Sequence, residues 1–280
     1  MATLLLSNDD GIHAKGLQTL MRVLGTEHDV YVVAPHQERS ASGHHLTLHT
    51  PILVEPMDLN PKPRSAVALQ ASSVQETESM PWRVCEAYSV AGSPCDCVKL
   101  GLNELFKTIA FDYVITGINA GPNLGTDVIY SGTVSAASEG TFRGIPSIAL
   151  SHTTGHLPDT DFTDAALFFK QYLQTLEGFP LPKDTLLNIN IPGVPLEKMQ
   201  GVRITTLADR LYRDTYDHRK NHRGTSYFWL VGEVIKDHVV PGTDVEAMFQ
   251  QQVSVTPLQF KQLEDTYLRH KLTEWHKPVF

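Results

Sequence analysis

The sequence predicts an α/β fold in which helices cover both faces of a mostly parallel sheet. Through the amino-terminal half of the 280 residues, short apolar runs typical of buried strands alternate with helical patterns. This alternation favours parallel pairing, because a crossover helix returns the chain to the same end of the sheet. With 41% hydrophobic residues, the chain can bury one sizeable core with an appended element, or two modest domains.

Four strands and two helices are predicted in this half. The strands run from Thr3 to Ser7, from Val30 to Ala34, from Asp112 to Thr116 and from Pro146 to Ser151. A helix from Ala14 to Leu24 is predicted because apolar residues recur there at helical spacing and Gly25 follows. The segment Ser131-Gly132-Thr133 is typical of a helix cap and predicts a second helix, built of small residues, that runs to Gly140.

A β-rich pattern replaces this alternation after residue 200. After a strand from Leu186 to Ile191, strands are predicted at 202–206, 227–234 and 253–256, and a charged helix at 260–275. We therefore predict an α/β core over residues 1–200 and a carboxyl-terminal extension over residues 201–280 that packs against another subunit. The segment of about residues 60–81, rich in Ser, Ala, Gln, Glu and Pro, predicts an exposed insertion in the core.

Charge and cysteine content argue against several classes of protein. The net charge of -8 leaves no broad basic face for nucleic acid. Cys85, Cys95 and Cys97 include no C-x₂-C pair, so three reduced thiols are expected and a zinc ribbon is not. No leader pattern opens the chain and no stretch approaches the ~20 apolar residues of a membrane span, so we expect a soluble, cytoplasmic protein without membrane contact.

Two adjacent aspartates stand directly after the first predicted strand. Asp9 and Asp10 follow Asn8, and Gly11 allows the backbone to turn at once. In an open α/β sheet, ligands bind at the carboxyl ends of the strands. Side-by-side carboxylates repel each other unless a cation or a proton joins them, and a hard cation such as Mg²⁺ or Mn²⁺ is the simplest occupant.

Two later strand ends add further oxygen ligands. Ser40 lies in a short polar segment after the second strand, and Asn119 lies in a loop rich in Gly and Asn after the third. With the two aspartates they supply carboxylate, hydroxyl and amide oxygens, which suit Mg²⁺ or Mn²⁺ and disfavour zinc. The helix start at Ser131, Gly132 and Thr133 predicts a seat for the oxygens of a phosphate, and the combination indicates phosphoryl chemistry.

Each of these features also has an ordinary structural explanation. Asp-Asp-Gly is a common turn sequence, and a serine before a run of small residues often only caps a helix. A single polar residue such as Ser40 is commonly part of a plain loop. The pair His44 and His45 favours a solvated loop over a base or a metal ligand. The prediction of a metal site and a phosphate seat therefore rests on the combination of these strand-end segments and not on any one of them.

Longer motifs extend this pattern along nearly the whole chain. They are Ser7-Asn8-Asp9-Asp10-Gly11, Val33-Ala34-Pro35, Arg39-Ser40, Ser93-Pro94-Cys95-Asp96-Cys97-Val98, the blocks from Gly117 to Gly125, from Val128 to Val134 and from Leu187 to Pro192, Arg223-Gly224, Gly242-Thr243-Asp244, and the block from Ser254 to Leu258. Together they closely resemble the SurE family of survival-protein nucleotidases. The block from Gly117 to Thr133 is the most specific part of the match.

The resemblance implies a divalent-metal-dependent phosphomonoesterase that acts on nucleoside 5′- and 3′-monophosphates and, in some members, on short polyphosphate. It implies one Mg²⁺ or Mn²⁺ ion held by Asp9, Asp10, Ser40 and Asn119. It also implies a Rossmann-like α/β domain whose carboxyl-terminal part is exchanged between subunits, in a homodimer or homotetramer. We favour direct attack by water, with Asp9 or Asp10 as the catalytic proton acceptor and Asn8 orienting the phosphate or an aspartate.

Three rival interpretations remain at this point. An aspartyl-phosphate route usually places its two acids as D-x-D, whereas here they are adjacent. A receiver module needs an acceptor aspartate after a later strand, where this chain has Gly117-Ile118-Asn119, and is far shorter than this chain. A nucleotide-sensing protein without turnover would use the same site. The insertion and the charged, histidine-rich stretch from Tyr212 to His222 bear on substrate entry or assembly.

Overall fold

The computed structural model of the chain describes residues 1–60, 82–157, 159–209, 212–234 and 239–259. Nearly all of the predicted insertion and the predicted terminal helix at 260–275 lie outside these residues. Within the described ranges, no helix has the length and apolar character needed to cross a membrane.

The described residues form eleven strands. They are β1 (Thr3–Ser7), β2 (Asp29–Pro35), β3 (Val54–Pro56), β4 (Val84–Val90), β5 (Tyr113–Ala120), β6 (Ser147–His152), β7 (Thr185–Ile191), β8 (Val202–Ile204), β9 (Tyr212–Lys220), β10 (Ser226–Val234) and β11 (Val253–Gln259). Nine of them form one sheet in the order β3-β4-β2-β1-β5-β6-β7-β11-β8. The run from β4 to β7 is parallel throughout, whereas β3 and β11 join it antiparallel. The predicted mostly parallel α/β architecture is confirmed.

Helices cover both faces of this sheet, as predicted. They are α1 (Lys15–Leu24), α2 (Pro94–Leu100), α3 (Gly132–Thr141), α4 (Thr163–Thr175) and the short α5 (Asp244–Phe249). Helix α1 packs beside α4 on one face, and α2 packs beside α3 on the other. Because side chains alternate along a strand, Leu4 and Leu6 of β1 join the core beneath α1, and Leu5 joins the core beneath α2.

Local sequence explains where α2 begins, although our prediction omitted this helix. The Ser93 hydroxyl accepts a hydrogen bond of 3.0 Å from the Asp96 N–H, and the Asp96 carboxylate accepts one of 2.8 Å from the Ser93 N–H. Pro94 occupies the first helical position, where its missing N–H costs nothing. This capping box is a local signal that the sequence contains. Helix α4 was also omitted from the prediction.

The third predicted strand is longer than expected. Strand β5 continues to Ala120, so Asn119 lies at the end of a strand and not in the loop that we predicted after Thr116. Pairing with β6 is interrupted after Thr116 and resumes at Asn119. Gly117 permits this path, because its φ is 126° and a Cβ atom there would lie 2.3 Å from a backbone oxygen of β6.

The carboxyl-terminal part joins the main sheet and also forms a separate hairpin. Strands β8 and β11 pair within the main sheet although they follow residue 200, and the division into core and extension stays a prediction. Strands β9 and β10 pair antiparallel with each other. Only β10 was predicted, because the sequence of β9 is charged and histidine-rich. Phe228, Trp229 and Leu230 on β10 are 60–62% exposed.

One buried carboxylate connects the carboxyl-terminal part to the glycine-rich segment after β5. Asp244, at the start of α5, is fully buried, and its Oδ2 accepts a hydrogen bond of 2.8 Å from the Gly125 N–H. Its Oδ1 accepts bonds of 2.9 Å from the N–H groups of Ala208 and Val245. Burial raises the pKa of Asp244, and these N–H donors oppose that rise. Asp244 therefore fixes the far end of the segment from Gly121 to Gly125 that follows β5.

Candidate metal centre

The candidate site lies where the strand order of the sheet reverses. Strand β1 lies between β2 and β5, and the chain reaches β2 first and returns later to β5 on the other side of β1. Such a reversal leaves a crevice outside the carboxyl ends of the two central strands, where ligands bind in open α/β sheets. Asp9 and Asp10 follow β1, and Asn119 and Ala120 end β5. The fold thus brings both segments to one crevice.

A cavity of about 680 Å³ occupies this crevice. Its wall includes Asp9, Asp10, Lys15, Glu38, Ser40, Ala41, Asn119, Ala120, Pro122, Asn123, Asp127, Tyr130, Ser131, Gly155, His156 and Leu157. All four predicted metal ligands and Ser131 therefore share one cavity. Asn8, Gly132 and Thr133, which we predicted to bind substrate, are not part of this wall.

The carboxylate of Asp9 sits against the amino-terminal end of α3. Its Oδ1 accepts a hydrogen bond of 2.5 Å from the Thr133 hydroxyl, and its Oδ2 accepts one of 3.1 Å from the Thr133 N–H. The carbonyl oxygen of Asp9 also accepts a bond of 2.7 Å from the Arg39 N–H. The helix start that the sequence predicted as a phosphate seat thus already binds an anion, the protein's own aspartate.

The other residues that we predicted to bind substrate, Gly132, Ser131 and Asn8, have different structural roles. A Cβ atom on Gly132 would lie 2.8 Å from Oδ2 of Asp9, so a glycine is needed for this close approach. Ser131 caps α3, and its hydroxyl accepts a hydrogen bond of 3.0 Å from the Val134 N–H. Asn8 is fully buried, and its side-chain amide donates a bond of 2.8 Å to the Gly11 carbonyl oxygen. Asn8 therefore braces the turn that presents the two aspartates.

The remaining predicted ligands are also held by neighbouring groups. Oδ2 of Asp10 accepts a hydrogen bond of 2.9 Å from the Ala120 N–H. The amide group of Asn119 donates a bond of 2.8 Å to the Gly121 carbonyl oxygen, so the amide oxygen is the atom left to act as a ligand. The Ser40 hydroxyl donates a bond of 2.7 Å to the Glu38 carboxylate.

Comparison with known proteins decides the family. The family profile described as survival protein SurE matches residues 4–214. A 5′-nucleotidase SurE from Heliobacterium modesticaldum is 41% identical, over 97% of this chain and 91% of the relative. A 5′-nucleotidase SurE from Carboxydothermus hydrogenoformans is 40% identical, over 99% of this chain and 97% of the relative. The chain belongs to the SurE family. The resemblance inferred from its motifs is therefore confirmed.

A solved structure of a SurE-family protein shows the same fold. The crystal structure of the SurE protein from Aquifex aeolicus superimposes with a TM-score of 0.80 at 32% sequence identity. The match covers 98% of this chain and 100% of the other. The Rossmann-like architecture of the main sheet is thus that of the family.

The electrostatics of this SurE-family site favour a bound cation. Burial, followed by the neighbouring charge of Asp9, raises the pKa of Asp10 to about 7. Burial also raises the pKa of Asp9, although the bonds from Thr133 oppose that rise. Glu38 adds a further negative charge that acts on both aspartates.

These carboxylates and the oxygens around them fit a hard divalent cation. One buried and one partly buried carboxylate, whose charged forms are both disfavoured, gain most from an ion that binds both. Sequence reasoning missed four ionisable residues of the cavity wall, Lys15, Glu38, Asp127 and His156. Glu38 lies two positions before Ser40, so the motif at Ser40 could have indicated it. His156 lies four residues after the end of β6, so the strand-end pattern could also have indicated it, whereas Lys15 begins α1 and had no such signal.

We predict that Thr133→Val raises the pKa of Asp9 in the metal-free protein. The change keeps the side-chain volume but removes the hydroxyl that donates to Oδ1, so the charged carboxylate loses a hydrogen bond. Carbon-detected NMR titration of the aspartate carboxyl groups measures this pKa. Thr133→Ser keeps the hydroxyl and is the matched control. An Asp9 pKa that is the same in Thr133→Val and in the parent protein would contradict this account of the site.

Proposed function

We propose that this protein is a metal-dependent 5′-nucleotidase that hydrolyses nucleoside 5′-monophosphates to the nucleoside and phosphate. The observation that carries the proposal is the pair of adjacent aspartates at the reversal of the strand order, Asp9 buried and Asp10 partly buried, in a chain whose relatives are named 5′-nucleotidase SurE. We extend the proposal to 3′-monophosphates and short polyphosphate, because the motifs that suggested the family imply them. The cytoplasmic location inferred from the sequence stays a prediction.

Four side chains would hold one Mg²⁺ or Mn²⁺ ion in this proposal. Asp9 and Asp10 supply carboxylate oxygens, Asn119 supplies its amide oxygen and Ser40 its hydroxyl oxygen. When bound, such an ion polarises a phosphoryl oxygen and lowers the pKa of a water molecule. The protein's own contribution is to keep the ligands in place before the ion arrives, through Thr133 on Asp9 and the contacts at β5.

The residues that we propose to contact the phosphate differ from those that would hold the ion. Ser131 lies at the start of α3 beside Asp9 and is the residue that we propose to contact the phosphate. Gly132 and Thr133 contribute indirectly, because they position Asp9. Asn8 contributes by bracing the turn that presents the two aspartates. Lys15 also lines this cavity and adds positive charge that attracts a phosphate.

A covalent aspartyl-phosphate intermediate usually uses two acids spaced as D-x-D, whereas Asp9 and Asp10 are adjacent. Both oxygens of Asp9 also accept hydrogen bonds from Thr133, which hold this carboxylate against α3. We therefore propose direct attack by water, with Asp9 or Asp10 accepting its proton.

The activity prediction is release of inorganic phosphate from AMP in the presence of Mn²⁺, lost on chelation. Asp9→Asn keeps the shape of the side chain but removes its charge, and we expect the rate to fall by about a hundredfold or more, because even outer contacts to a metal ligand are worth 10–100-fold. Asp58→Asn, at an exposed position outside the cavity, is the matched control and keeps the parental rate.

The outcomes of this assay separate the rival interpretations. Full activity in Asp9→Asn would refute the site assignment. Nucleotide binding without phosphate release in the parent protein would support the sensor interpretation. Reaction with AMP labelled in its phosphate, stopped with acid, leaves no label on the protein if water attacks directly. Label recovered on an aspartate would establish the covalent route.

We also predict that Mn²⁺ binds more weakly as the pH falls. Because the pKa of Asp10 is raised to about 7, a proton occupies this carboxyl group below that pH and competes with the ion. Affinity should therefore fall steadily between about pH 8 and about pH 6 and change little above that range. Calorimetric titration with Mn²⁺ at several pH values measures this affinity and the protons released to the buffer on binding. An affinity that stays constant across this range would contradict the prediction.

Finally, we propose that the protein assembles as a homodimer or homotetramer through its carboxyl-terminal extension. The exposed apolar side chains of β10 support this proposal: Phe228 and Leu230 share one face of the strand and Trp229 lies on the other, and exposed apolar surface commonly marks an interface. Light scattering after size-exclusion chromatography should give two or four times the chain mass of 31.1 kDa. Trp229→Asp should lower the measured mass. A parent protein that elutes as a monomer at micromolar concentration would refute the proposal.

A further inference from the structure

A second group of potential metal ligands lies outside the cavity, where the loop that carries Ser40 crosses α2 and α3. His44 comes from this loop, Cys95 from α2 and Glu139 from α3. One imidazole nitrogen, the thiol sulfur and a carboxylate oxygen all lie within 4.8 Å of one another. None of the three residues belongs to the cavity wall.

The three side chains are already held in place. His44 Nε2 lies 2.8 Å from Oε1 of Glu139, and the imidazole stacks on the ring of Phe142 at 5.7 Å between centroids. The Ser138 hydroxyl lies 3.4 Å from Nδ1 of the same imidazole. Cys95 is fully buried and Glu139 is 5% exposed, whereas the His44 side chain is 33% exposed. The cluster therefore has two fixed inner ligands and one outer ligand that solvent can reach.

The donor set differs from that of the cavity. A thiolate, an imidazole and a carboxylate suit Zn²⁺, whereas Mg²⁺ and Mn²⁺ prefer oxygen ligands alone. Ligand atoms around tetrahedral Zn²⁺ lie roughly 3.3–3.8 Å apart. The observed limit of 4.8 Å thus requires only movements on the order of an ångström or less at each side chain, which the exposed His44 can supply.

We propose that His44, Cys95 and Glu139 form a second metal site, specific for Zn²⁺ and similar transition-metal ions, with its fourth position open to solvent beside His44. The absence of a C-x₂-C pair does not bear on this site, because each ligand comes from a different element. The proposal does not depend on the nucleotidase activity.

Binding through His44 Nε2 would replace its 2.8 Å contact with Glu139, and the imidazole proton would then stay on Nδ1, which faces the Ser138 hydroxyl. The thiol of Cys95 is protonated in the metal-free protein, since burial, followed by the charge of Glu139, raises its pKa to about 12. The sulfur–zinc bond forms as the thiol proton passes to solvent. Lys99, whose side chain is 49% exposed, now lies 3.2 Å from Oε2 of Glu139 and can turn to water. Thiolate and carboxylate together neutralise the two charges of the ion.

A bound ion would link the loop at His44, α2 and α3 at a point close to the first site. The loop at His44 carries Ser40 four positions earlier, and α3 carries Thr133, which holds Asp9. Because Glu139 is six residues after Thr133, the two lie about 9 Å apart along the helix axis. The second site therefore anchors both the Ser40 loop and the helix that positions Asp9.

Cobalt is the probe that tests this proposal in the full-length protein, because a thiolate ligand gives Co²⁺ an intense charge-transfer band in the near ultraviolet. None of the described residues in the cavity wall has a sulfur atom, so the band reports on a thiolate ligand outside the cavity. We expect one such band per chain in excess Mg²⁺, bleached when Zn²⁺ is added. Cys95→Ala should abolish it. The matched controls Cys85→Ala and Cys97→Ala, which change the other two cysteines, should keep it.

A second variant keeps the test informative if Cys95→Ala fails to fold. His44→Ala, at the exposed edge of the cluster, should weaken Co²⁺ binding by about tenfold or more while the far-ultraviolet circular dichroism stays unchanged. The absence of the charge-transfer band from the parent protein at saturating Co²⁺ would overturn the proposal. So would a band that survives in Cys95→Ala, or an unchanged Co²⁺ affinity in His44→Ala.

Discussion

The geometry of the site depends on the buried carboxylate of Asp9 at the amino-terminal end of α3. Only 3% of this residue is exposed, and burying a charge without a partner is costly. Both hydrogen bonds from Thr133 favour the charged form, yet burial still leaves the pKa above its usual value. The interaction is therefore incomplete in the protein alone, and a divalent ion would complete it. The backbone of Asp9 also receives the Arg39 N–H, so the same residue places the loop that carries Ser40.

The glycine-rich segment that follows β5 is held by a hydrogen bond at each end. These two bonds extend the constraint at Asp9 across the sheet. At one end the Ala120 N–H donates to Asp10, and at the other the Gly125 N–H donates to Asp244. Asp10 precedes a turn and Asp244 follows one. Burial raises the pKa of both carboxyl groups. The carboxyl-terminal part therefore contributes to the site although none of its described residues lines the cavity. Loss of the bond at Gly125 would release the far end of the segment that follows β5.

Sequence reasoning succeeded where a local pattern determines local structure. The apolar run before Asp9 identifies β1, and the cap at Ser131 identifies the start of α3. It failed where partners are distant, because no spacing along the chain links Thr133 to Asp9 across 124 positions or Glu139 to His44 across 95. His44 is exposed, as expected, but it contacts Glu139 and is not merely a solvated loop residue.

Other errors came from patterns that mislead. Strand β9 has the charged sequence of a loop, since both faces of an isolated hairpin meet solvent and its residues need not alternate. The end of β5 looked like a loop because Gly117 and the glycines after Asn119 suggest turns, whereas Gly117 interrupts the strand without ending it. In contrast, the capping box at Ser93 was a readable signal, so the omission of α2 was avoidable.

Two sites of different ligand chemistry, both in contact with α3, would solve a problem of metal selection. Transition metals such as Zn²⁺ bind most nitrogen and oxygen sites more tightly than Mg²⁺ or Mn²⁺, so affinity alone does not keep them out of a carboxylate site. Selection must then come from ligand type, and the thiolate of Cys95 is a ligand that the cavity does not offer. If Zn²⁺ fills the cluster first, the oxygen ligands around Asp9 remain for the harder ion. Because α3 carries both Glu139 and Thr133, occupation of the second site would also steady the helix that orients Asp9.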